Sequence, residues 1–229
     1  MTRLTAGLFS LLLVAHTSFA DTARAQRTLN VSDLRSLIPK GSFGYDTAVL
    51  DYELTAPNGN TIHLNSCTQV DATKDDDVAA FDYKRLQYVR INCLALKRYS
   101  TSTMPKKNFF PPRLTRAFIA SLPATAAFLI GDSEYIRQLH GKSLAASLHG
   151  LHLHISILSK NEAKVVTDED DDRYVVVARA DFDGDGIEDL LMRIDWRARD
   201  AFGAASDLVL LSKKSASGPV SVSWRAPEP

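Results

Sequence analysis

"RYVVVARADFDGDGIEDLLMRIDW" runs from Arg173 to Trp196, and its reading decides the fold. Two apolar runs lie on either side of a polar segment that holds Gly184 and Gly186. Short runs rich in β-branched residues and bounded by glycine-containing turns read as strands. The stretch therefore predicts two antiparallel strands joined by an acidic turn. "SDLVLLSK" (206–213) and "VSVSW" (220–224) continue the pattern, with the turn material "SASGP" between them. Four such runs in succession predict an antiparallel β-meander. The acidic segment has no repeat elsewhere in the chain, which argues against a propeller of several blades. With the helical segments described below, the expected class is α+β.

The turn places Asp181, Asp183, Asp185 and Asp189 within nine residues. Carboxylates that close repel one another and need a counter-charge. Calcium is a hard cation that takes six to eight oxygens in a flexible geometry. With Asp181 as the first position, side-chain oxygens fall at one, three, five and nine, and the Ile187 carbonyl at seven adds a backbone oxygen. Gly186 at position six permits the sharp turn that brings these oxygens inward.

"DFDGDGIEDLL" resembles the D-x-D-x-D-G-x-x-D calcium loop of FG-GAP and integrin-type propeller blades, also found in dockerins. The resemblance implies calcium held by Asp181, Asp183, Asp185, Ile187 and Asp189. It covers about 11 residues of the 229, so it implies a site and not a family. An EF-hand is matched only in its first half. Its bidentate Glu at position twelve is replaced here by Met192, and the flanks read as strands, which excludes a paired helix-opening sensor.

At the N-terminus, Arg3 and the apolar run "AGLFSLLLVA" (Ala6 to Ala15) precede the small residues Ser18 and Ala20. This is the pattern of a secretory signal peptide over residues 1–20, with cleavage after Ala20 or Ala25. Residues 21–229 are expected to form a single α+β domain, with a possible subdivision near 101–112. Nothing later reaches 18 uninterrupted apolar residues, so no membrane span is expected. Export to the periplasm or medium makes Cys67 and Cys93 a candidate disulfide. In the chain-entropy account, closing that loop stabilises by roughly 3–4 kcal/mol.

Along the mature chain, "SDLRSLIP" (Ser32 to Pro39) reads as a short capped helix. "TAVLDYELTA" and "TIHLNSCTQV" flank "PNGN" and read as a hairpin. "LQYVRINCLALKRYS" (Leu86 to Ser100) alternates through Val89, Ile91, Cys93 and Ala95 and is read as a strand, so that the disulfide would join two strands. A helix is the alternative, because Leu86, Val89, Arg90 and Cys93 also fit its period. "RLTRAFIASL" (Arg113 to Leu122) and "SEYIRQLHGKSLAASLHG" (Ser133 to Gly150) read as short helices, the second broken near Gly141. "LHLHISILS" reads as a strand with Leu151, Leu153, Ile155 and Ile157 inward.

The formal net charge is zero, yet the charges are segregated. Every charged residue from Lys84 to Arg116 is basic, and Asp168 to Asp189 is acidic apart from Arg173 and Arg179. The two segments either neutralise each other in the fold or form an electrostatic face. Lys106, Lys107, Phe109 and Phe110 are candidate partner-binding residues. Phe109 and Phe110 are alternatively a core plug. His152 and His154 form an H-x-H pattern compatible with zinc, although no third ligand or general base is identifiable. No G-x-S-x-G elbow is present.

These readings converge on an exported calcium-binding protein with no catalytic residues. An inhibitor or immunity-type protein is expected, with a toxin or wall-acting hydrolase as its protein partner and no nucleic-acid partner. The layout loosely resembles small periplasmic proteins that carry a lone loop of this kind. The competing expectations are a metal-dependent hydrolase using His152 and His154, and an envelope-polymer binding module.

Overall fold

The computed structural model describes residues 27–29, 34, 44–129 and 133–227. The expected signal peptide lies outside the described residues, as does the helix expected at Ser32–Pro39 except for Leu34. Among the described residues, an antiparallel seven-stranded sheet organises the chain. Its main path is β4 (His154–Ser159), β5 (Glu162–Val166), β6 (Asp171–Ala180), β7 (Asp189–Arg197), β8 (Ala204–Ser212) and β9 (Ser221–Arg225), in sequence order. The short strand β1 (Thr28–Leu29) pairs with Ala178 and Arg179 of β6, past the point where β5 ends. β6 is thus paired on both sides along most of its length. It is nearly continuously apolar because both of its faces are covered.

Alternation sends β6 and β7 side chains into two separate cores. Val177, Leu191, Leu208 and Leu210 point to one face. They meet a hairpin of β2 (Tyr52–Thr55) and β3 (Thr61–Leu64), then helices α1 (Cys67–Ala72) and α2 (Tyr83–Thr101). Tyr174, Val176, Met192 and Ile194 point to the other face. There they pack under α3 (Arg116–Ser121) and α5 (Leu144–Ser147), with α4 (Ser133–Leu139) preceding α5 in the chain. A sheet with helices on both faces and a meander order is an α+β arrangement, and the meander is the predicted one.

Two local expectations are overturned. Leu86–Ser100 is not a strand but the centre of α2. Leu86, Val89, Cys93 and Leu96 are all buried, at helical spacing, and burying that stripe outweighs the alternating pattern. The strand expected to continue through Cys67 stops at Leu64. Ser66 caps the following helix by accepting the Gln69 N–H at 3.3 Å. The disulfide between Cys67 and Cys93 is present, with a Cα–Cα distance of 5.4 Å, and it joins two helices, not two strands.

The remaining helices fall close to expectation. α3 is shorter than the pattern because Thr115 caps it, accepting the Phe118 N–H at 3.1 Å. A left-handed Gly141 separates α4 from α5. In the β2–β3 hairpin, Gly59 adopts φ 85° within the Asn-Gly turn.

The sheet face that carries Tyr174 and Val176 holds one unsatisfied acid among the described residues. Asp172 is buried, and its Oδ1 has no partner among the described residues. Burial pushes its carboxyl up to about 7, with Asp170 and Asp171 adding repulsion. The folded-state value thus lies above the ordinary 3.8, so ionisation destabilises the fold. That cost is fully present above about pH 7, fades as pH falls, and vanishes below the unfolded value. Stability measured by urea melts should therefore rise between pH 8 and pH 5, and Asp172→Asn should flatten the rise. Parallel pH profiles for the two proteins would refute this assignment.

Candidate metal centre

The acidic turn connects the two central strands, and its conformation follows from the carboxylates themselves. Asp181 Oδ1 accepts the Gly184 N–H at 2.7 Å. Its Oδ2 accepts the Gly186 N–H at 2.9 Å and the Thr103 hydroxyl at 3.0 Å. Asp183 and Asp185 each accept the N–H two residues ahead, at 3.1 and 2.8 Å. Asp189 is fully buried, and it takes the Phe182 N–H at 3.1 Å and the Ser212 hydroxyl at 2.6 Å. Gly184 and Gly186 have φ of 83° and 80°, a region costly for residues with a Cβ. Backbone donors and left-handed glycines thus fold the carboxylates inward.

One oxygen from each of Asp181, Asp183 and Asp189 lies within 4.8 Å of the others. Oxygens bound to calcium at 2.3–2.6 Å sit at about such separations, so one ion can bridge the three. Two carboxylates about 4 Å apart repel by roughly 1 kcal/mol in water and about 4 kcal/mol at an effective dielectric of 20. An all-oxygen, carboxylate-rich donor set is the kind that hard divalent cations take. Three of the expected ligands are therefore brought together. Asp185, the fourth, is not in this group. It turns to Lys214, whose Nζ also contacts Asp183 Oδ2 at 2.7 Å. Lys214 holds the Asp185 carboxyl below its ordinary range, and the two carboxylates raise the Lys214 ammonium. Burial, by contrast, raises Asp189. Nothing in the turn's own sequence announces Lys214, which lies on the β8–β9 connection.

A second segment clamps the turn from outside. Thr103 and Asp181 exchange backbone hydrogen bonds at 2.8 and 3.0 Å. The N–H groups of Lys106 and Lys107 donate to the Gly186 carbonyl at 2.8 and 3.1 Å, and Glu188 donates to the Lys107 carbonyl at 2.8 Å. The Ile187 carbonyl, an expected ligand, accepts none of these clamp bonds. Beneath the clamp, Arg179 Nη1 donates to Glu188 Oε1 at 2.9 Å, and Nη2 to the Pro111 carbonyl at the same distance. Both side chains of the ion pair are over nine-tenths buried. Burial raises the Glu188 carboxyl, and Arg179 opposes that rise.

The other candidate residues separate. Lys106 and Lys107 have exposed side chains, while Phe109 is half-buried. Phe110 is buried in the second core, edge-to-face with Phe118 at 6.1 Å, so the core-plug reading applies to it. His152 lies before β4, at φ 47°, so the H-x-H alternation does not form. Its Nδ1 meets Asp168 Oδ2 at 2.7 Å, whereas His154 Nε2 meets the Ser156 hydroxyl at 3.0 Å. Among the described residues, neither histidine belongs to a group able to share an ion.

No protein-family model matches the chain, and searches of curated proteins and of solved structures give no match.

Arg179→Ala should destabilise the protein by about 3–5 kcal/mol, since Glu188 would be left buried without its partner. Denaturant melts of the single variant and of Arg179→Met/Glu188→Leu test this. A single variant no less stable than the double would show that the pair is not the buried charge it is taken to be.

Proposed function

We propose that the chain is an exported, calcium-braced binding protein that acts as an inhibitor of a secreted toxin or cell-wall-acting enzyme. The observation that carries the metal part is the convergence of Asp181, Asp183 and Asp189 within 4.8 Å at the turn between the central strands. An ion there would join the β6–β7 turn at both of its ends. It would also tighten the 103–107 clamp, because Asp181 is bonded to Thr103 through both backbone and side chain. The disulfide fits an oxidising compartment. No helix among the described residues is long and apolar enough to cross a membrane.

Extracellular calcium modules work at dissociation constants of roughly 10⁻⁴ to 10⁻³ M, and such sites serve as braces. At about 10 mM calcium, binding then adds roughly 1.4–2.7 kcal/mol to folding stability by mass action. That corresponds to a rise in melting temperature of about 3–10 °C for a domain of this size. Calcium should raise the melting temperature by this amount, and chelator should reverse it. Asp183→Ala, at an exposed ligand, should abolish the response with little other damage. Lys214→Met should strengthen it, because the ammonium holds two of the turn's carboxylates. A wild-type melting curve indifferent to both calcium and chelator would sink the metal reading.

The inhibitor part is tested separately. Purified amidases, glycosidases and peptidases that act on peptidoglycan are assayed with the calcium-loaded protein. Stoichiometric loss of one activity supports the reading, and unchanged rates across the panel count against it.

A further inference from the structure

α2 covers only part of the sheet face beneath it. The cover ends at Arg193, whose Nη1 donates to Asn92 Oδ1 of α2 at 2.7 Å and whose guanidinium stacks on Tyr88. Beside that point, one cross-strand row runs Lys164, Arg173, Asp195, Ser206 across β5 to β8. Alternation places Arg197 on the same face, one strand step further. This row is the floor of a cleft of about 510 Å³, walled by Lys84 and Tyr88 of α2.

Two features mark the cleft as a surface made to meet something, its charge and its exposed apolar side chains. Lys164 and Arg173 stand directly opposite each other, a like-charge pair that costs sheet stability unless other charges answer it. Within the protein each member of that pair is answered by an acid, and the uncompensated charge lies beside it, on Arg197 and Lys84. Lys164 pairs with Asp171 at 2.7 Å, Arg173 with Glu162, and Asp195 with Arg193 at 2.9 Å. Among the described residues, Arg197 is exposed with no ion-pair partner, and Lys84 has no acidic partner and donates to the Phe202 carbonyl. The cleft therefore keeps an excess of positive charge, complementary to an acidic ligand.

Two exposed apolar side chains accompany the charge, one lining the cleft and one next to it, on the residue whose carbonyl takes the Lys84 ammonium. Leu158 lines the cleft and is 53% exposed. Phe202, at the tip of the β7–β8 hairpin, is fully exposed. Its loop is nevertheless held in place. Ala198 donates to the Gly203 carbonyl at 3.0 Å, and Arg199 binds the Glu169 and Thr167 carbonyls, each at 2.8 Å. Gly203 lies so close to Trp196 that a Cβ there would sit 2.5 Å from the indole. An exposed aromatic on a preorganised loop is the form of an interface anchor.

We propose that this cleft is the docking surface for an acidic, extended segment of a partner protein, with apolar side chains flanking the acidic centre to meet Leu158 and Phe202. A polyanionic glycan would use the cations but would leave both apolar positions without a role. The inference rests on the reading of the chain as a binding protein and not on the metal, so calcium melts and peptide titrations fail independently.

The probe is a fluorescein-labelled peptide, Leu-Glu-Gly-Glu-Gly-Glu-Leu, titrated by fluorescence anisotropy with the intact mature protein. Its glutamine counterpart and dextran sulfate serve as comparisons. The glutamate peptide should bind at least tenfold more tightly than the glutamine peptide. Arg197→Glu, at an exposed position outside any internal pair, should weaken binding at least tenfold, and Phe202→Ala about fivefold. Charge reversal at Lys106 and Lys107 should change it less than twofold. Absence of peptide binding would overturn the proposal. So would equal affinity for the two peptides, or loss through Lys106 and Lys107 instead of Arg197. Dextran sulfate binding that exceeds peptide binding and ignores Phe202→Ala would replace the partner protein with an anionic polymer.

Discussion

The Asp181 carboxylate, accepting the N–H groups of Gly184 and Gly186 and the Thr103 hydroxyl, is the contact on which the surrounding architecture depends. It closes the turn between the two longest-buried strands and ties that turn to a segment nearly eighty residues earlier in the chain. Strand register propagates from turns, and a slip of one residue would exchange the side chains that reach the two cores. Val177 and Leu191 would then leave the disulfide-side core, and Val176 and Met192 the other. A charged group at a hairpin tip is ordinarily a surface detail. Here it sets which half of each central strand meets which layer of helices.

The segregated charge resolves along the same line. The basic stretch from Lys84 to Arg116 splits into two parts with different tasks. Its helical part lies over the sheet, where Arg90 meets Asp75 and Arg98 stacks on Trp224. Its loop part supplies backbone, not side chains, to the acidic turn, leaving the Lys106 and Lys107 side chains exposed. The direct countercharge on the turn comes instead from Lys214. An ammonium on Asp183 and Asp185 offsets their repulsion within the protein itself, and it is the interaction that a divalent cation would have to rearrange.

The strands and the acidic turn were legible because both signals are local. Alternation within eight to ten residues marks a strand, and the spacing of four aspartates around Gly186 marks an inward-facing turn. The 83–101 segment was ambiguous because its apolar residues satisfy two periods at once. Only the packing of Leu86, Val89, Cys93 and Leu96 against a long sheet decides between them. The Ser66-to-Gln69 cap was readable in principle, as a Ser with Gln three positions on, but the preceding hairpin pattern ran over it. Lys214, Ser212 and Thr103 were not readable, since they approach the turn only through strand pairing and a loop crossing. The departure of Asp185 from the ligand group follows from one of those unseen neighbours.

The two surfaces with chemistry lie at opposite ends of the same strand pair. Asp181 and Asp189 close β6 and β7 at the turn, whereas Arg173 and Arg197 mark the far end. Eight residues of strand separate Asp181 from Arg173, roughly 26 Å at the usual rise per residue. No ion at the turn touches the cleft over that distance, and screening at physiological salt has a length of about 8 Å. A direct electrostatic coupling is therefore negligible. What joins the ends is the shared pairing of β6 with β7, which is buried and continuous apart from one bulge between Val176 and Ala178. An ion bound at the turn would lower the frequency with which this pair opens, and the far-end floor, Arg173 and Asp195 included, is kept in register by the same pairing. On the proposals made above, a bound ion would act on the far end of the strand pair as a brace acts on a beam. It would change how often that surface exists, and would leave its shape and charge as they are.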